Sequence, residues 1–162
     1  MSNLVKVGMA DLNVAKAPDR LRTSGLGSCV GVTLYDPVSK IAGLAHVMLP
    51  SSELAKQGDL NEAKYADTAI PLLINKMKEL GADPKKFQSK MAGGAQMFVF
   101  QTTNDSMRIG PRNVEACKEM LQKYKIPILA EDTGGSCGRT IEFIVDTGIL
   151  SIRTVNQGVK EV

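Results

Sequence analysis

Two apolar segments with alternating side chains, residues 30–35 and 41–49, flank the turn-forming run Asp36-Pro37-Val38-Ser39. Alternation on both sides of such a turn predicts a β-hairpin. With a loop of residues 36–39, Tyr35 faces Lys40 and Cys29 faces His46, the only histidine in the chain. Directly opposed residues hold their Cβ atoms about 4.5–5.5 Å apart, within hydrogen-bonding reach for a thiol and an imidazole. This register puts Val30, Val32, Leu34, Ile41, Ala45 and Val47 on one face, which reads as core. Cys29, Gly31, Thr33, Tyr35, Lys40, Ala42, Leu44 and His46 fall on the other, which reads as a more open surface with room for a substrate. A slip of one residue would move the imidazole to the opposite face.

A cysteine becomes a strong nucleophile at neutral pH when a neighbouring base takes its proton or a positive charge lowers its pKa. A facing histidine can do both. A third group must then hold the imidazole in the useful tautomer. Thr23, on the approach to Cys29, can accept from a ring N–H, and Glu131 or Asp132 could offer a carboxylate instead. The glycine-punctuated stretch of residues 25–31 allows close backbone approach by a substrate. Backbone N–H groups around Gly27, Ser28 and Cys29 are candidates to bind a developing oxyanion or the substrate itself. Small buried cysteines and structural histidines are also ordinary components of a core, so spacing alone leaves both readings open.

The chain has 162 residues, a length suited to one domain spanning residues 1–162 with a core of its own. Three cysteines, Cys29, Cys117 and Cys137, form no Cys-x-x-Cys pair, which favours a reducing compartment over a disulfide scaffold. With one histidine, no zinc-ligand spacing is present, and no metal or cofactor is expected. Twenty Lys and Arg against 17 Asp and Glu, without a dense basic stripe, give no reason to expect nucleic acid. No segment has the signal-peptide or membrane-helix pattern, so a cytoplasmic protein without membrane insertion is expected.

Along the chain, residues 5–14 read as a first strand with an irregularity near Ala10, and residues 51–60 as a loop beside the site. A helix is expected from Asn61, bent or interrupted at Pro71 and ended by Gly81. Residues 87–92 read as a strand, and Gly110-Pro111 opens a second helix whose apolar face includes Val114, Cys117, Met120, Leu121 and Tyr124. Strands follow at 126–130, 141–145 and 149–155. Met97, Phe98 and Phe100 read either as core or as an exposed docking patch. Many hairpin-linked strands with two helices define an α+β class, with helices packed over mainly antiparallel sheet.

The strings Gly25-Leu26-Gly27-Ser28-Cys29-Val30-Gly31-Val32, Leu34-Tyr35-Asp36 and Gly43-Leu44-Ala45-His46-Val47-Met48-Leu49-Pro50 resemble the chemoreceptor glutamine deamidase family, CheD. Further matches run in order through Lys64-Tyr65-Ala66-Asp67, Gly93-Gly94-Ala95, Arg112-Asn113-Val114, Asp132, Gly134-Gly135 and Gly138-Arg139. The resemblance implies a layered sandwich of helices and β-sheets, shared with toxin-type cysteine deamidases of the cytotoxic necrotizing factor kind. It places the family's catalytic Cys, His and Thr on Cys29, His46 and Thr23. It implies hydrolysis of glutamine side chains on the cytoplasmic helices of chemoreceptors through a thioester, and receptor methylesterase activity by the same chemistry. It also implies a regulatory partner, CheC, a phosphatase of the response regulator CheY, for which Phe98 and Phe100 are the candidate contacts. Two other readings are a non-catalytic adaptor linking receptors to CheC, and a thiol sensor in which Cys137 would stand beside Cys29.

Overall fold

The protein is described by a computed structural model covering residues 2–55, 60–96 and 108–162. Among these residues, ten strands form two five-stranded sheets. Strands β1 (Leu4–Lys6), β3 (Arg20–Leu26), β8 (Arg139–Ile144), β9 (Ile149–Thr154) and β10 (Gly158–Glu161) form the first sheet, in that order. Strands β2 (Leu12–Lys16), β5 (Ile41–Val47), β4 (Val30–Asp36), β6 (Gln88–Gly93) and β7 (Ile128–Thr133) form the second. Pairing is antiparallel except for β1 with β3 and β6 with β7. Helices α1 (Ala66–Glu79) and α2 (Ile109–Lys123) pack on the second sheet. The result is three layers: helices, second sheet and first sheet, as the α+β reading expects.

The second sheet is therefore buried on both faces. Its helix-facing side carries Val30, Val32, Leu34, Ile41, Ala45 and Val47 against Ile70, Leu73 and Met77 of α1 and Cys117 and Leu121 of α2. Gly43 lies on this side, where an added Cβ would collide with the Leu73 side chain, so α1 sits close to the sheet. The opposite side carries Cys29, Tyr35, Ala42, Leu44 and Ala92 against Leu21, Leu26, Ile141, Phe143, Leu150 and Ile152 of the first sheet. The outer face of the first sheet bears Arg22, Glu142, Ser151 and Arg153 around an open groove of about 440 Å³.

The sequence sorts the hairpin's two faces correctly, but the second is a packed sheet-to-sheet interface rather than an open surface. The register also differs by two residues. Asp36 pairs with Ile41, and Gly31, not Cys29, lies opposite His46. The Asp36 carboxylate accepts from the N–H groups of Val38 and Ser39, while Lys40 takes a left-handed conformation and donates its N–H to the Asp36 carbonyl. These contacts extend the ladder to Asp36 and move the loop to residues 37–40. A shift of two preserves the side-chain faces.

Residues 5–14 are split between sheets. Val5 is on β1 and Leu12 on β2, with Ala10 at φ 55 in the break between them. Asn61 caps a short 3₁₀ turn, Glu62–Lys64, and α1 begins only at Ala66. Pro71 lies inside α1, which continues to Glu79, and Gly81 follows its end with φ 105. Among the described residues, no helix is long and apolar enough to cross a membrane.

Candidate functional site

The site lies where the two sheets meet at one end of β3, β4 and β5. Thr23 comes from β3 of the first sheet, next to an irregularity between Thr23 and Leu26 in the pairing with β8. His46 comes from β5 of the second sheet, and Cys29 immediately precedes β4. Since Gly31 opposes His46, Cys29 occupies the diagonal position on the same face. Diagonal neighbours have Cα separations of about 7–8 Å and remain within reach of longer side chains. Gly31 leaves the intervening position without a side chain, and a Cβ there would strike Ile141 of the first sheet.

Thr23 and His46 are joined by a 2.7 Å hydrogen bond between Oγ1 and Nδ1. The Thr23 hydroxyl donates to the Val7 carbonyl oxygen at 2.8 Å. With its proton directed there, Oγ1 is the acceptor toward the ring, and Nδ1 carries the proton. Nε2 is then the basic nitrogen. It is fully buried and has no hydrogen-bond partner among the described residues. Thr23 and His46 are 2% and 0% exposed, whereas Cys29 retains 7%.

Burial dominates the electrostatics. It lowers the His46 pKa below its ordinary value of 6.5, so the imidazole resists protonation. It raises that of the Cys29 thiol above its ordinary 9.0, and the residue's own backbone N–H offsets part of the rise. Burial thus favours the neutral form of both the thiol and the imidazole, which share one face of the sheet. Such a pair can generate a thiolate by proton transfer to Nε2 as a substrate binds.

The backbone around Cys29 is anchored on one side. The N–H of Ala95 donates to the Gly27 carbonyl and that of Gly94 to the Cys29 carbonyl, each at 2.8 Å. Asn113 of α2 donates its side-chain N–H groups to the carbonyls of Ser28 at 3.0 Å and Met48 at 2.9 Å. The Gly27 N–H is engaged with the Gly25 carbonyl. The N–H groups of Ser28 and Cys29 bond to no backbone carbonyl among the described residues. Gly27 and Ser28 are half-buried at the rim.

The carboxylates that rivalled Thr23 have other partners. Asp132 pairs with Arg139 and Lys160, and Glu131 pairs with Lys118. Cys117 is wholly buried under the sheet. The Cys137 sulfur accepts from the Gln157 amide at 3.7 Å, and no disulfide forms among the described residues. Tyr65, a possible groove residue on sequence grounds, is packed at 2% exposure. Phe98 and Phe100 lie outside the described residues. Among the described residues, no group of three or more His, Cys, Asp and Glu converges as a metal site would require. Asn113 stands in the family-like string Arg112-Asn113-Val114, but no role was expected of it. Its signal was a polar side chain at helical spacing with Cys117 and Leu121 on the buried stripe of α2.

An α+β sandwich with a cysteine, a histidine and a threonine gathered at the junction of its sheets is the class of protein defined by this geometry. A family model described as CheD chemotactic sensory transduction matches residues 48–154. A chemoreceptor glutamine deamidase CheD of Halalkalibacterium halodurans is 62% identical over 162 residues, covering 100% of both chains. One of the same name from Bacillus subtilis is 55% identical over 159 residues, covering 98% of this chain and 96% of the relative. The chain belongs to the CheD family. A solved structure of the hypothetical protein YfiH of Bacillus licheniformis shares the fold, with a TM-score of 0.50 at 15% identity. That match covers 78% of this chain and 51% of the other.

Proposed function

We propose that this protein is a cysteine-dependent glutamine deamidase acting on the cytoplasmic helices of chemoreceptors. The observation that carries the reading is the Thr23–His46 hydrogen bond, which leaves a bare Nε2 on the face that holds Cys29. The names of full-length relatives support the substrate. In the first half-reaction Nε2 of His46 takes the thiol proton, and the Cys29 sulfur attacks the glutamine carboxamide carbon. The C–N bond breaks as His46 returns the proton to the nitrogen, ammonia leaves, and a thioester remains. In the second, His46 deprotonates water, the hydroxide attacks the thioester carbon, and the C–S bond breaks as His46 returns the proton to the sulfur. Glutamate and the free thiol are released. Thr23 keeps the imidazole in the Nδ1–H form throughout. The N–H groups of Ser28 and Cys29 would donate to the oxyanion of each tetrahedral intermediate.

The same sequence of steps hydrolyses a glutamyl methyl ester with methanol as the leaving group, so receptor methylesterase activity is part of the proposal. Conversion of Gln to Glu adds negative charge to a helical surface, where like charges repel. Resemblance to the family also leads us to propose regulation by a CheC-type phosphatase and a cytoplasmic location. The test is the intact mass of a receptor cytoplasmic fragment after incubation with the protein and with its Cys29→Ala variant. A gain of about one mass unit per modified glutamine, absent with the variant, is expected. Absence of a gain with several folded receptors would favour the adaptor reading.

A further inference from the structure

Building on the deamidase reading, we infer that Asn113 is a positioning residue for oxyanion binding, fixing the Ser28–Cys29 peptide so that the Cys29 N–H turns away from α2 and is held ready for the oxyanion. Asn113 is fully buried on the stripe Gly110, Asn113, Cys117 and Leu121 of α2. Both hydrogens of its amide are used, one on the Ser28 carbonyl and one on that of Met48. The opposite amide orientation would set its oxygen against two carbonyl oxygens, so the donors define the orientation.

A trans peptide directs its C=O and N–H in opposite directions, and the Ser28–Cys29 bond is not among the cis bonds of the chain. Holding the Ser28 carbonyl toward α2 therefore turns the Cys29 N–H away from the helix. Ala95 and Gly94 anchor the carbonyls of Gly27 and Cys29 on either side, so three successive carbonyls are restrained. Through Met48, two residues beyond His46, the same amide ties the nucleophile loop to the strand that bears the base.

This clamp leaves the Asn113 Oδ1 buried without a partner among the described residues. Native proteins satisfy nearly all buried polar groups, and an exception calls for a reason. An apolar residue would suit the helix stripe and avoid the orphaned oxygen, but it could not donate to the two carbonyls. The Asn at this position is explained by those two donations.

The test compares two reactions of Cys29 in the full-length protein. Iodoacetamide alkylation displaces iodide and develops no oxyanion, whereas deamidation passes through one. Asn113→Asp keeps the shape and removes the donors; Asn113→Ser, which keeps one donor, serves if the carboxylate prevents folding. The expected result for Asn113→Asp is a fall of about 100-fold in kcat, with KM and the alkylation rate nearly unchanged. Asn113→Ser should lose less. An unchanged kcat, or equal losses in deamidation and alkylation, would overturn the assignment. An inactive wild-type protein would instead remove the deamidase reading on which it rests.

Discussion

The two faces of the β2-β5-β4-β6-β7 sheet are equally buried but differently filled. Under the helices, Val32, Leu34, Leu73, Met77 and Leu121 form an aliphatic layer. Between the sheets, apolar packing is interrupted by polar groups with assigned partners. The Tyr35 hydroxyl donates to the Val145 carbonyl at 2.6 Å, and the Lys90 ammonium donates to the carbonyls of Gly148 and Val162. At the other end, Thr23 holds one nitrogen of His46 and the second nitrogen is left bare. The two buried cysteines follow the same division. Cys117, in the aliphatic layer, has its pKa pushed up to about 12 by burial alone. Cys29 is also raised by burial, but its own N–H opposes the rise and His46 shares its face. Burial makes a thiol inert; what distinguishes Cys29 is the polar equipment around it.

If the faces have these separate roles, substitutions should divide between chemistry and stability. His46→Ala should lower deamidation by about 10⁴-fold while the protein stays folded, as read by turnover on a receptor fragment and by circular dichroism. Leu73→Ala should do the reverse, costing about 2–5 kcal/mol in chemical denaturation while the folded fraction keeps its kcat. Thr23→Val, which preserves shape but removes the acceptor for Nδ1–H, should reduce kcat by about 10- to 100-fold, less than loss of a carboxylate orienter would. Cys117→Ala should leave both turnover and Cys29 alkylation unchanged, with a stability loss of about 1 kcal/mol in the same denaturation experiment. Equal activity losses on the two faces would break the division.

Because the folded His46 has its pKa below 6.5, the imidazole remains a base under conditions that would protonate an exposed histidine. The acid limb of the pH–rate profile should therefore lie below pH 6.5. In the unfolded chain the residue binds its proton first as the pH falls. His46 thus contributes a stability that is present above 6.5 and declines on acidification until the folded-state pKa is reached. Replacing His46 with Gln should flatten that part of the stability profile.

Period-two alternation made the faces of the hairpin legible, and with them the sharing of one face by Cys29 and His46. The register was not legible because the turn is set by the Asp36 carboxylate and the left-handed Lys40, neither of which announces itself in an alternating pattern. The break at Ala10 looked like a local irregularity, yet it sends Leu4–Lys6 and Leu12–Lys16 to different sheets. Strand β10 escaped notice because all four of its residues are exposed and carry no buried stripe. Thr23 could be nominated as the orienter, but only the fold shows that Asp132 and Glu131 are engaged elsewhere. Asn113 was hidden by its setting: a single polar residue on an apolar helix face acquires meaning only once the carbonyls of Ser28 and Met48 are found beside it.

Thr23 holds His46 with its proton on Nδ1, which leaves Nε2 free to act on Cys29. Since His46 is the only histidine in the chain, nitrogen-15 labelling of histidine gives an NMR spectrum with one imidazole to assign. The expected spectrum at neutral pH shows a single Nδ1–H tautomer with an unprotonated Nε2, a pKa below 6.5, and loss of the tautomer preference in Thr23→Val. A proton on Nε2, or a pKa above 6.5, would contradict it.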